Sequence, residues 1–151
     1  MTQSSDIQTR ARIVVYTHIA DHGAPPSREE IAEATSLSAE ETRDTLEALA
    51  LSRQVILDPA TREIWMAGPF SAVPTRYRVH GSHVSWWANC AWDMLGVPAF
   101  LGQSVRIDAT CADCDTSVQL DVDRDTGPAD DQGLVHILLP ASRWYADIGF
   151  T

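Results

Sequence analysis

Apolar positions follow two rhythms along this chain. Early on they recur at helical intervals, and further along they alternate in short stretches broken by Gly and Pro. "DIQTRARIVVYTHIAD" (6–21) carries Ile7, Ala11, Ile13, Val14, Val15, Tyr16, Ile19 and Ala20, a helical pattern that "DHGAPP" terminates. Ser27 followed by Glu30 is a capping box, in which hydroxyl and carboxylate each satisfy a free N–H of the first turn. It predicts a short helix. Ser38 and Glu41 repeat the device and open a longer one, with Thr42, Leu46, Leu49 and Ala50 as its buried stripe. "QVILD" (54–58) and "EIWMA" (63–67) then read as two strands around the turn "PATR". Three helices and a hairpin outline a winged-helix-like unit over residues 1–68.

Residues 69–84, with two Pro and one Gly, read as a linker. Beyond it "SWWANCAWDMLG" (85–96) reads as a helix that stops at Gly96–Val97–Pro98. A strand is expected at 104–109, and "SVQLDVD" (117–123) alternates Val118, Leu120 and Val122 as a half-buried strand should. "DRDTGPADDQG" is an acidic loop and "LVHILLP" (134–140) a buried strand. The fold class expected is α+β. A second, β-rich unit at 85–151 carries one helix, and no internal repeat is present.

Charge narrows the partners. The 151 residues hold 21 acids against 11 Lys and Arg, a formal net charge of −10. Such a field repels phosphate backbones, and the arginines are scattered singly along the chain. The helix a winged unit would offer to DNA carries Glu40, Glu41, Asp44 and Glu47 against Arg43 and Arg53. Nucleic acid is therefore disfavoured. The first ten residues contain no apolar signal segment, and no stretch approaches the ~20 apolar residues of a membrane span. Three cysteines, an odd number, fit a reducing cytoplasm and thiols kept for chemistry or metal.

Cys90 and Asp93 are spaced by about one helical turn among Trp86, Trp87 and Trp92. A carboxylate so placed can take the thiol proton and later return it to a leaving group. Desolvation by the tryptophans would raise the carboxyl pKa toward neutrality. Spacing alone favours the other reading, a core helix with an incidental cysteine and Asp93 facing solvent. Cys111-Ala-Asp-Cys114 has the spacing of half a zinc site or a redox pair. It lacks a second CxxC and a thioredoxin-like βαβ frame, so a turn between strands is the expectation. His80, His83 and His136 do not sit at standard zinc spacing, and His136 reads as a core residue of its strand. His18 and His22 have i, i+4 ligand spacing at a helix end, where a histidine commonly stabilises the dipole instead.

With these residues in view, the chain resembles the alkylmercury (organomercurial) lyases over essentially its whole length. The matching pieces are the acidic helical first half, "PFSAVPTRYRV" (69–79), "WWANCAWDMLGVPAFLG" (86–102), the strand ending in Cys111, and "HILLPASRWYADIGFT" (136–151). The resemblance implies protonolysis of a carbon–mercury bond, with a hydrocarbon and Hg(II) as products and no organic cofactor. Cys90 matches the family's first catalytic cysteine, which binds the mercury. Asp93 matches its catalytic aspartate. Cys111 matches a family cysteine with a structural character, and Cys114 has no assignable counterpart. Soft Hg(II) favours thiolate ligands, so Cys111 and Cys114 are further candidates for the metal beside Cys90 and Asp93. The three tryptophans would line a pocket for the organic group.

The family's second catalytic cysteine is expected immediately after "DIGFT", a place none of the three cysteines here occupies. Weaker mercury capture and slower cleavage are expected in its absence. Small thiols, or a mercuric reductase accepting the Hg(II), are the implied partners. Two other readings stand beside the enzyme. One is a soft-metal protein holding Hg, Cu or Zn through Cys90, Cys111 and Cys114; the other is a metal-responsive winged-helix regulator.

Overall fold

The computed structural model describes residues 2–129, 133–137 and 139–149. Three helices come first: α1 (Thr2–His22), α2 (Arg28–Thr35) and α3 (Ala39–Leu51). Both expected capping boxes form. The Ser27 and Ser38 hydroxyls accept from the N–H groups of Glu30 and Glu41, whose carboxylates accept in return from Ser27 and Ser38 N–H. Thr42, Leu46 and Leu49 are buried as expected, joined by Thr45, and Ala50 is half-buried. The helices bury Ala11, Val15, Ile19, Ile31, Leu46 and Leu49 between them.

Among the described residues one antiparallel sheet of eight strands follows these helices. Its strands are β1 (Ile56–Leu57), β2 (Ile64–Ala67), β3 (Phe70–Ser71), β4 (Tyr77–His80), β5 (Ser85–Ala88), β6 (Val105–Thr110), β7 (Ser117–Asp123) and β8 (Gly127–Pro128). Their spatial order is β1-β2-β3-β5-β4-β6-β7-β8. The hairpin β1–β2 falls where the hydrophobic pattern placed it, and β6 and β7 lie within a residue of expectation. The architecture is α+β.

Three expectations need correction. Residues 69–84 are not a linker: they supply β3 and β4, and through them the sheet runs unbroken from the hairpin to β8. Residues 85–96 are not one helix. The aromatic run forms β5, which pairs with both β3 and β4. Helix α4 (Ala91–Leu101) starts only after Asn89 and Cys90. A short run of bulky apolar residues satisfies either period, and here the pairing strands decide. The helix also passes through Pro98 and ends at Gly102, which adopts φ +62. Burial of Met94, Val97 and Pro98 offsets the backbone hydrogen bond that proline cannot make.

The third concerns 134–140. Its described residues pair with no strand; Leu134 is 97 % exposed, and Val135 and Ile137 are also open to solvent. Val135, His136, Ile137 and Leu139 instead edge a cavity, so His136 is no core residue. A 3₁₀ helix, Ala141–Ala146, follows. Leu138, the loop residues 130–132 and the final Phe150 and Thr151 lie outside the described residues. Among the described residues no helix is long and apolar enough to cross a membrane.

Candidate active site

Alternation along β5 sets up the site. Trp86 and Ala88 point into the core while Ser85 and Trp87 face the other way. The Trp86 indole donates to the Ile19 carbonyl at 2.7 Å, tying β5 to α1. Trp87 lies under the Arg78 guanidinium, 4.4 Å from ring centroid to Cζ. Neither edges the cavity described below. Of the three tryptophans expected there only Trp92, in the first turn of α4 and 57 % exposed, does so.

The chain turns out of β5 at Asn89, whose N–H donates to the Pro69 carbonyl at 3.2 Å. Cys90 then takes the residue position just before α4, in extended backbone (φ −147, ψ 179). Its thiol lies 3.4 Å from Asp93 Oδ2 and donates to it. The one-turn spacing read from sequence thus becomes a direct thiol–carboxylate contact, with the cysteine at the position just ahead of the helix instead of riding on it. Burial pushes the Cys90 thiol pKa up, against the opposing pull of the Asp93 and Trp92 backbone N–H groups. Burial also raises the Asp93 carboxyl, while hydrogen bonds from Cys90 and Asn89 hold it back. The Oδ1 of Asn89 is buried without a hydrogen-bond partner, an unmet acceptor beside the pair.

Cys90 and Asp93 open onto a cavity of about 1030 Å³, at the upper end of ordinary ligand sites. Helix α1 contributes Arg12, Ile13 and Tyr16, the hairpin contributes Trp65, and the chain's final stretch contributes Trp144, Tyr145 and Gly149. Phe100 packs between Tyr16 and Phe70, at 5.3 and 5.5 Å between centroids. Sequence spacing gave no sign of Tyr16, Trp65, Tyr77 or Asn89 as lining residues, because packing of separate elements brings them together.

Cys111 and Cys114 sit elsewhere. They bracket the turn between β6 and β7, as expected of that CxxC, with Asp115 N–H donating to the Cys111 carbonyl. Cys114 is exposed, and hydrogen bonding from Thr116 holds its thiol below the usual range. His80 bridges Ser85 Oγ and Asp108 Oδ2, at 3.0 Å each. His18 and His22 stack on one another, each with Nδ1 at a backbone carbonyl. Among the described residues no group of three or more His, Cys, Asp or Glu is arranged to hold a metal ion.

The family profile described as alkylmercury lyase (MerB) matches residues 70–149, over half of the chain and all of the thiol–carboxylate segment. The chain belongs to the alkylmercury lyase family. An alkylmercury lyase of Staphylococcus epidermidis is 33 % identical over 103 residues, which are 68 % of this chain and 45 % of that protein. This chain therefore spans about half the length of the curated relative it matches. In fold it is similar to the crystal structure of the mercury-bound form of MerB2. The TM-score is 0.62 with 16 % identity, over 86 % of this chain and 67 % of that one.

Proposed function

We propose that this member of the alkylmercury lyase family cleaves the carbon–mercury bond of organomercurials by protonolysis. The observation that carries the reading is the Cys90 thiol set 3.4 Å from the Asp93 carboxylate on a cavity wall. An incoming R–Hg–X exchanges its ligand X for the Cys90 sulfur. The thiol proton passes to Asp93, giving R–Hg–S–Cys90 and a neutral carboxylic acid while X departs as an anion. Asp93 then delivers that proton to the carbon. The C–Hg bond breaks, R–H leaves, and mercury stays on Cys90 as Hg(II) until a thiol removes it. Both raised pKa values suit this order. The thiol keeps its proton until a soft metal displaces it, and a carboxyl above its usual range is a better base than an exposed aspartate. Trp92, with the other aromatic walls, receives the organic group.

Cys90 is the thiol that edges the cavity among the described residues, and a small thiol or a mercuric reductase is the Hg(II) acceptor in this reading. The assay is release of methane or benzene from methylmercury or phenylmercury in excess thiol. The protein should exceed the thiol-only blank and Cys90→Ser should not. Asp93→Asn should lower turnover by about 10²–10⁴-fold while Cys90 still captures mercury by mass spectrometry. Full activity in either variant, or no hydrocarbon from the wild type, would falsify the assignment.

A further inference from the structure

Arginines that read as singly scattered in sequence converge on the cavity. Among the described residues its lining includes Arg12, Arg53 and Arg76 but a single carboxylate, Asp93, within a chain of net charge −10. Arg76 is matched, bridging Asp115 at 2.6 Å. Arg12 and Arg53 form no ion pair among the described residues. Arg12 reaches only the Gln54 Oε1, at 3.2 Å, and Arg53 lies over the Tyr145 ring at 4.3 Å. They share one wall, because Gln54 follows Arg53 in the chain and its carbonyl also takes the Tyr16 hydroxyl at 3.1 Å. A guanidinium stacked on an aromatic face keeps its edge N–H donors free, and that edge matches a carboxylate.

We infer that this wall binds a carboxylate on the organic group of the mercurial, so that the favoured substrates are aryl mercurials bearing an acid. The inference rests on the carbon–mercury lyase reading for the reacting end of the molecule. It adds a recognition element at the other end: Arg12 and Arg53 hold the acid, and aromatic walls hold the ring. The overall negative charge would otherwise repel such a substrate, and two guanidiniums without an ion-pair partner on the cavity wall reverse that locally.

The test compares para-carboxyphenylmercury with para-carbamoylphenylmercury, an uncharged analogue of nearly the same size. Both are presented in mercaptoethanol, so the organic group carries the only ligand charge. The wild type should favour the acid in kcat/KM by about tenfold, the scale of one or two exposed ion pairs. The preference should shrink at high salt. Arg12→Gln with Arg53→Gln should abolish it by slowing the acid alone. An absent preference, or one that survives in the double variant, overturns the inference. So does an equal acceleration of unsubstituted phenylmercury by mercaptopropionate in place of mercaptoethanol, because the carboxylate would then be read on the thiol. The same comparison is made on the rate of mercury addition to the Cys90 peptide, followed by mass spectrometry. A capture preference without hydrocarbon from either mercurial strikes the lyase reading and leaves the carboxylate site standing.

Discussion

Asp93 is a carboxyl held where its charge is poorly solvated. Burial raises its pKa above the ordinary carboxylate range, and the hydrogen bonds from Cys90 and Asn89 offset only part of that. The folded state thus holds the Asp93 proton more tightly than the unfolded chain does. Stability linked to this group is fully present below the unfolded pKa. It is lost progressively as pH rises from the unfolded pKa through the folded pKa, so raising the pH works against the folded state. Asp93→Asn removes the charge and keeps an oxygen for both donors. It should therefore raise the thermal midpoint at pH 7, with an advantage that fades as pH falls through the carboxylate range. Melting curves of both proteins from acid to neutral pH check this. An Asn variant no more stable at pH 7, or an advantage unchanged with pH, would contradict it. The same substitution should lower turnover, so stability and activity would move in opposite directions at one side chain.

At the scale of elements, legibility followed the range of the interactions. The capping boxes of α2 and α3 were readable because hydroxyl and carboxylate lie within one turn of the N–H groups they satisfy. Strands β6 and β7 were readable because alternation is local. The passage from β5 into α4 was not, since "SWWA" becomes a strand only through pairing with β3 and β4. That passage is what aims Cys90, and Trp86 anchors it. Its buried ring fills the space beneath the sheet, and its indole N–H shares the Ile19 carbonyl with the Gly23 N–H. Gly23 itself is at φ +81, and a Cβ there would come 2.5 Å from the Ser85 carbonyl, so α1 and β5 meet backbone to backbone. Trp86→Phe should cost about 2–3 kcal/mol, from a partly emptied cavity and a lost hydrogen bond. Urea unfolding reads it as a lower midpoint at unchanged slope. A loss below about 0.5 kcal/mol, the range of ordinary surface changes, would show that the anchor lies elsewhere.

Across the whole molecule, the cavity is a product of elements far apart in sequence. The thiol and carboxylate were legible as a pair, and the family segments pointed to them. The enclosing wall was not legible, because α1, the hairpin and the final stretch each contribute side chains that carry no mutual spacing signal. That final stretch closes one side through a close approach. A Cβ on Gly149 would stand 2.8 Å from Trp65 Cη2, nearer than such carbons come without something shifting. Glycine there lets the chain lie against the indole, while Tyr145 meets Arg53 close by. Gly149→Val should push the stretch off Trp65 and open the cavity. The Cys90 peptide should then be alkylated by iodoacetamide severalfold faster, while exposed Cys114 keeps its rate and serves as an internal control. Global stability should move by no more than about 0.5 kcal/mol, because the 3₁₀ helix in this stretch buries none of its residues. Gly133→Val, at a position with open space around it, should leave the Cys90 rate unchanged. If Gly149→Val also leaves it unchanged, the stretch does not govern access to the thiol, and the wall that protects Cys90 must come from α1 and the hairpin.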